Sequence, residues 1–135
     1  MELVDRAHVR IQLLWLRLQL PALLASEPLD ELLGRLAGAA TGSRGWMLPD
    51  LERTLERAEA WADRVPFLPR TCLYRSLARF ALFRRHGFPV AFVMGVSPRG
   101  TEEDGHAWLE FEGRPYREER AGEFVESFRY PPHSL

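Results

Sequence analysis

The stretch Thr71-Cys72-Leu73-Tyr74-Arg75-Ser76-Leu77 carries the only cysteine of the chain, at a point where a helix should begin. Pro66 and Pro69 interrupt the backbone just upstream, and Thr71 is a residue type favoured at helix N-caps. From Cys72 onward, Leu73, Leu77, Phe80, Ala81 and Phe83 recur at helical spacing until Gly87 ends the run. Cys72 therefore falls in the first turn, where unpaired N–H groups and the helix dipole favour a thiolate. A cysteine so placed is a candidate nucleophile. The competing reading is an inert buried side chain, the commoner fate of a lone cysteine.

The composition sets the frame for that choice. A chain of 135 residues has the length of one domain, with 46% apolar and 27% charged residues, as in globular proteins. The boundaries predicted are a single domain over 1–135: a helical half over 1–65, a core over 66–120 and a tail over 121–135. A net charge of −1 leaves no electrostatic footprint for nucleic acid or an anionic membrane. One cysteine permits no internal disulfide, which fits a reducing cytoplasm. All 18 basic side chains are arginine, so lysine chemistry such as Schiff-base formation is excluded. The leucine-rich run from Ile11 to Ala25 is broken by Arg17 and preceded by Glu2 and Asp5, so neither a membrane span nor a signal peptide is expected.

Taken in order, residues 2–20 read as a first helix stopped at Pro21, followed by a short second helix between Pro28 and Gly38. Residues 39–47 read as a loop. A third helix starts near Pro49 and runs to about Val65, with Leu51, Leu55, Ala58, Ala62 and Val65 on one stripe. After Gly87 the period changes. Val90–Val96 is β-branched and apolar, a buried strand by pattern, and Ser97–Asp104 is a polar loop. His106–Phe111 and Arg114–Glu118 form two short strands about Glu112-Gly113, and the tail from Phe124 has no clear pattern. Helices first and adjacent antiparallel strands last give an α+β fold, with the Cys72 helix packed on a small antiparallel sheet.

The hairpin has two possible registers. A three-residue loop of Phe111, Glu112 and Gly113, with a bulge at Gly113, sets Glu110 opposite Arg114, Trp108 opposite Tyr116 and His106 opposite Glu118. A two-residue loop of Glu112-Gly113 would instead set Glu119 opposite His106. The first register gives the better pairs and selects Glu118. Asp104 and Glu110 are less well placed, Glu110 lying about 13 Å along the strand at about 3.3 Å per residue. A thiol, an imidazole and an orienting carboxylate are the parts of a cysteine hydrolase. Read without the cysteine, His106 is better explained by a hydrogen bond within a sheet. His8, His86 and His133 are scattered, and with one cysteine they give no metal-ligand spacing, so neither metal nor cofactor is expected.

Four segments in order carry a family resemblance: Cys72-Leu73-Tyr74-Arg75-Ser76-Leu77-Ala78, Arg84-Arg85-His86-Gly87, Met94-Gly95-Val96 and Gly105-His106-Ala107-Trp108-Leu109-Glu110. Over roughly residues 66–120 the chain resembles the transglutaminase-like, microcin-processing-type leader peptidases of lasso-peptide biosynthesis. The resemblance implies a catalytic triad of Cys72, His106 and Glu118, where the family often has aspartate at the third position. It implies hydrolysis of one peptide bond of a ribosomally made precursor through a thioester. With only about 70 residues ahead of Cys72, the chain resembles the stand-alone form, which relies on a separate winged-helix leader-binding protein. The amine set free would then be used by an ATP-dependent macrolactam synthetase. Two other readings stay open: a transglutaminase-like acyl transferase or amidase, and a catalytically inactive peptide-binding module.

The first helix carries a second expectation. Leu3, Val4, Ala7, Val9, Ile11, Leu13, Leu14, Trp15, Leu16, Leu18 and Leu20 surround it almost completely, and Arg6, Arg10 and Arg17 form one narrow polar stripe. Either the other N-terminal helices wrap it, or part of its apolar face docks a partner. Leu13 and Leu16 read as outlying positions at which to separate the two.

Overall fold

Four helices precede four strands in the computed structural model, which describes residues 3–38, 46–65, 72–98 and 105–132. The helices are α1 (Leu3–Ser26), α2 (Leu29–Gly38), α3 (Leu48–Ala62) and α4 (Cys72–Arg85). The strands are β1 (Ala91–Val96), β2 (Gly105–Phe111), β3 (Arg114–Tyr116) and β4 (Val125–Tyr130), with a 3₁₀ turn at Ala121–Glu123 before the last. This is the expected α+β architecture. Pro66, Pro69, Thr71, Asp104, His133 and residues 39–45 of the predicted loop lie outside the described residues.

Helix α4 is the centre of the molecule because the run from Leu77 to Phe83 is apolar at every position but Arg79. Leu77, Ala78, Phe80, Ala81, Leu82 and Phe83 are all buried, and the helix packs against α1, α2, β1 and β2. Phe80 meets Phe92 of β1 and Tyr130 of β4 edge-on, at 6.4 and 6.0 Å between ring centres. Gly87 ends it at φ 88°, which a side chain would resist. The Phe88 N–H reaches back to the Phe83 carbonyl and the Gly87 N–H to that of Arg84, the paired bonds of a Schellman cap.

The stop expected at Pro21 is not observed, since α1 runs through it to Ser26. A proline inside a helix costs about 3 kcal/mol by losing one hydrogen bond and crowding the preceding turn. Burial offsets that cost here: Leu20 is fully enclosed, and Leu23 and Leu24 pack on the core beyond the proline. The helix ends where the Ser26 hydroxyl donates to the Leu23 carbonyl.

The two sides of α1 also differ from the expected wrapping. Val9, Leu13, Leu16 and Leu20 are buried, so Leu13 and Leu16 are core and not outlying positions. Ile11, Trp15 and Leu18 form an open ridge, exposed by 64%, 59% and 49%. Arg17, read as part of a polar stripe, is fully buried, and its guanidinium meets Asp63 at 3.2 Å. The other oxygen of Asp63 takes Arg75, one turn into α4, also at 3.2 Å. One carboxylate at the end of α3 thus ties α1 to the start of the cysteine helix.

The strands form one antiparallel sheet in the order β3-β2-β1-β4. The chain after Phe124, patternless by sequence, supplies β4, which pairs with β1 and shifts register between Met94 and Gly95. Ala107 and Leu109 join the core beneath α4, while His106 and Trp108 alternate with them and pack around Phe124.

The hairpin register differs from the one preferred by sequence. Leu109 pairs with Tyr116, Glu110 with Pro115 and Phe111 with Arg114, so the loop is the two-residue Glu112-Gly113. Both loop residues have positive φ, 55° and 80°, as a type I′ turn requires. The physical reason is Tyr116. A slip of one residue would turn it to the Trp108 side, whereas in this register its ring packs on Phe83 of α4, with 5.6 Å between centres.

Candidate active site

The site grows from the first turn of α4 and from the start of β2. Cys72 is a free, half-buried cysteine at the first residue of α4, at the helix end where backbone N–H groups are unpaired. One turn on, the hydroxyl of Ser76 donates to the carbonyl of Ala107 at 3.2 Å. That bond clamps the helix to the residue next to His106. Cys72 shares the helix face of Ser76, about 6 Å closer to the N-terminus at 1.5 Å per residue. Among the described residues the thiol itself makes no hydrogen bond. The structure therefore brings His106 and Glu118 together and shows no hydrogen bond between Cys72 and His106.

His106 and Glu118 are joined by a 2.7 Å hydrogen bond between Nε2 and a carboxylate oxygen. The other oxygen of Glu118 accepts the backbone N–H of Arg120 at 2.9 Å. Burial works to raise the Glu118 pKa, but the His106 bond, the Arg120 N–H and the two nearby charges outweigh it and hold the carboxyl below its ordinary value. An ionised carboxylate only accepts, so Nε2 must carry the proton. In the neutral ring the lone pair then sits on Nδ1. That tautomer makes Nδ1 the basic atom.

Glu118 reaches this position by a route the sequence reading did not contain. The two-residue loop, continued as a regular ladder, would set Glu119 opposite His106, yet Glu119 is exposed. The ladder instead stops at Tyr116, and Arg117 adopts a left-handed φ of 51° that redirects the chain by one residue. Arg117 is held there by Glu52 at 2.7 Å and by Glu56, both on α3, and its guanidinium lies over the Tyr116 ring. Burial, with a hydrogen bond to Glu52, pushes the Tyr116 phenol above its usual range, so it stays protonated. The contact between His106 and Glu118 is the expected one; the geometry behind it is not.

The imidazole is also fixed by rings. Phe124 stacks on it at 5.1 Å between centres and 27° between planes, and Trp108 lies 5.9 Å away. Gly95, the cross-strand partner of His106, makes room for both: a Cβ there would come within 2.8 Å of the Phe124 Cβ and 2.9 Å of the Trp108 ring. Sequence reasoning passed over Phe124 and Gly95 as site residues. Gly95 could have been found from a lone glycine in an apolar strand; Phe124 gives no such signal. Of the other acids, Glu110 pairs with Arg129 at 2.8 Å. His86 packs edge-on against Trp46 near the far end of α4. No group of three or more histidine, cysteine, aspartate or glutamate side chains among the described residues could hold a metal ion. No helix among them is long and apolar enough to cross a membrane.

No curated protein and no solved structure gives a match. A family model described as the transglutaminase-like superfamily matches residues 14–129, which takes in α4, all of the sheet but its last residue and most of the N-terminal helices. A match over that much of its length means that this chain belongs to the transglutaminase-like superfamily.

Proposed function

We propose that the protein is a cysteine peptidase that removes the leader from a ribosomally made lasso-peptide precursor. Its family points to cysteine peptidase or acyl-transfer chemistry. The observation that supports the reading most is the 2.7 Å bond from His106 to Glu118, because it leaves Nδ1 as a base in the strand clamped beside the cysteine helix. In the proposed reaction Nδ1 takes the Cys72 proton and the thiolate attacks the last leader carbonyl. The tetrahedral intermediate collapses to a thioester as His106 returns the proton to the departing core amine. Water, deprotonated by the same nitrogen, then attacks the thioester, and the leader acid leaves as the thiol is restored. The Cys72 backbone N–H, at the helix start, is the natural donor to the oxyanion. Glu118 orients and enters no covalent step.

In this proposal the precursor leader is delivered by a separate winged-helix protein, and the freed amine passes to an ATP-dependent macrolactam synthetase. The open ridge of Ile11, Trp15 and Leu18 supports docking of such a partner on α1.

Cleavage of a cognate precursor, followed by mass spectrometry, tests the reaction. Cys72→Ala should remove activity by a factor of about 10³ or more while the protein stays folded, and His106→Ala should be nearly as severe. A folded Cys72→Ala variant that still cleaves would overturn the proposal. Membership of a transglutaminase-like family supports one other outcome, transfer to an amine, which the product mass separates: hydrolysis adds water, transfer adds the amine.

A further inference from the structure

Between α1 and α3 lies a cleft of about 230 Å³ lined by Arg6, Arg10, Asp50, Arg53, Thr54 and Arg57. Four guanidiniums thus share one hollow with a single carboxylate. Arg17, Arg35, Arg75, Arg79, Arg117, Arg120 and Arg129 are all ion-paired, whereas among the described residues the four cleft arginines have no acidic partner. Thr54 spends its hydroxyl on the Asp50 carbonyl at 2.9 Å, so it does not compete for a ligand. Four arginines against one carboxylate leave an excess of positive charge in the cleft, and an anion there relieves the repulsion.

We propose that this cleft binds a run of acidic side chains in a polypeptide. Its shape favours that occupant over other anions. Arg6 and Arg10 are one turn apart on α1, as are Arg53 and Arg57 on α3, giving two rows of positive charge. A single phosphate cannot meet both turns of both rows; successive carboxylates can, each with the forked geometry guanidinium prefers. The volume is below the roughly 300 Å³ at which pockets begin to enclose a whole small ligand. It suits side chains reaching in from a segment that passes over the surface. None of the lining residues is aromatic, so nothing there stacks a nucleobase.

The position is suited to a substrate or partner that also reaches the cysteine helix. Arg6 and Arg10 share the cleft with residues 50–57, and Arg17, further along α1, pairs with Asp63, further along α3. The two helices therefore run in the same direction. From Arg57 the distance along α3 to Asp63, which holds Arg75 of α4, is about 9 Å at 1.5 Å per residue. Binding at the cleft does not depend on the reaction proposed above.

Fluorescence anisotropy of labelled hexaglutamate on the full chain tests the proposal directly. Hexaglutamine, inorganic phosphate and an oligothymidylate of equal charge serve as competitors. Hexaglutamate should bind at low salt and weaken as salt rises, and hexaglutamine should not compete. Arg10→Glu with Arg57→Glu should weaken binding by about tenfold or more, since each reversal replaces attraction by repulsion. Arg64→Glu, an exposed arginine outside the cleft, should change it less than about twofold. Arg10→Gln with Arg57→Gln serves as the second pair if the reversed one does not fold, and alkylation of Cys72 at the wild-type rate reports that the fold is intact. The proposal is overturned if hexaglutamate does not bind, if the folded cleft variants bind it as the wild type does, or if phosphate or oligothymidylate displaces it as well as unlabelled hexaglutamate.

Discussion

Helices α1 and α4 both carry many apolar residues interrupted by arginines, and they end in opposite situations. α4 is wrapped by two helices and two strands, so that six of its residues from Leu77 to Phe83 are buried in succession with only Arg79 partly open. α1 is wrapped on one side alone and keeps Ile11, Trp15 and Leu18 in the open. The difference is one of address. α4 lies between the helical layer and the sheet, whereas α1 packs on α3 and α4 from outside. Apolar character around a helix shows that burial is possible; where the helix lies among its neighbours decides how much of it happens.

That contrast can be broken by substitution. Phe80→Ala in α4 should cost about 3–5 kcal/mol, read as a fall in the denaturant midpoint at constant slope, because it empties a site enclosed by Phe92 and Tyr130. A loss below about 1 kcal/mol would mean that α4 is not the centre of the core. Gly95→Ala probes the sheet beside the cysteine helix. Its new methyl would press on Phe124 and Trp108, so about 1–3 kcal/mol of stability should go, with a change in tryptophan fluorescence as the rings shift.

A titration sharpens the account of the site at the open end of α4. The Glu118 carboxyl is held below its ordinary value in the folded protein. Its bond to His106 therefore contributes stability that is fully present above the unfolded pKa of about 4.3 and is lost as pH falls through the lower folded value. A carboxyl resonance of Glu118 followed by NMR should have its midpoint below about 4.3, and a midpoint above it would mean that burial outweighs the imidazole. Glu118→Gln should reduce cleavage and leave a residue of activity, while Glu119→Gln, exposed and outside the pair, should leave it nearly unchanged. The smallest effect belongs to α1. Ile11→Glu, Trp15→Glu and Leu18→Glu should each move stability by less than about 0.5 kcal/mol, where Leu13→Glu should unfold the protein. If the ridge variants unfold too, α1 is wrapped like α4 and the contrast is lost.

The start of α4, its cap at Gly87, the order of elements as far as β3 and the pairing of His106 with Glu118 were legible in the sequence, because each rests on local chemistry: a period, a glycine, a turn. What was not legible rests on distant contacts. Pro21 is a strong local stop, overruled by leucines that find their partners only in the folded core. Arg17 looked like a surface charge until Asp63 came to it from the end of α3. The hairpin register was decided by Tyr116 seeking Phe83, and the offset that restores Glu118 by Glu52 and Glu56 holding Arg117. Alternation within the hairpin could not weigh either contact. β4 is half-exposed and charged, so it carries almost no hydrophobic period.

The separation of the site residues along the chain has a consequence for the order of assembly. His106 and Glu118 are 12 residues apart, within and just beyond one tight hairpin, so the imidazole and its orienting carboxylate meet after a short loop closure. The thiol comes from α4, beyond β1, and joins only when that helix docks on the sheet through Ser76 and Ala107. Phe124, which stacks on the imidazole, follows all of these in sequence and leads directly into β4. During synthesis Cys72 is made first and the imidazole of His106 is locked last. In the proposed peptidase, a nascent or partly unfolded chain therefore holds a thiol without a competent base, and competence appears only with the closed sheet.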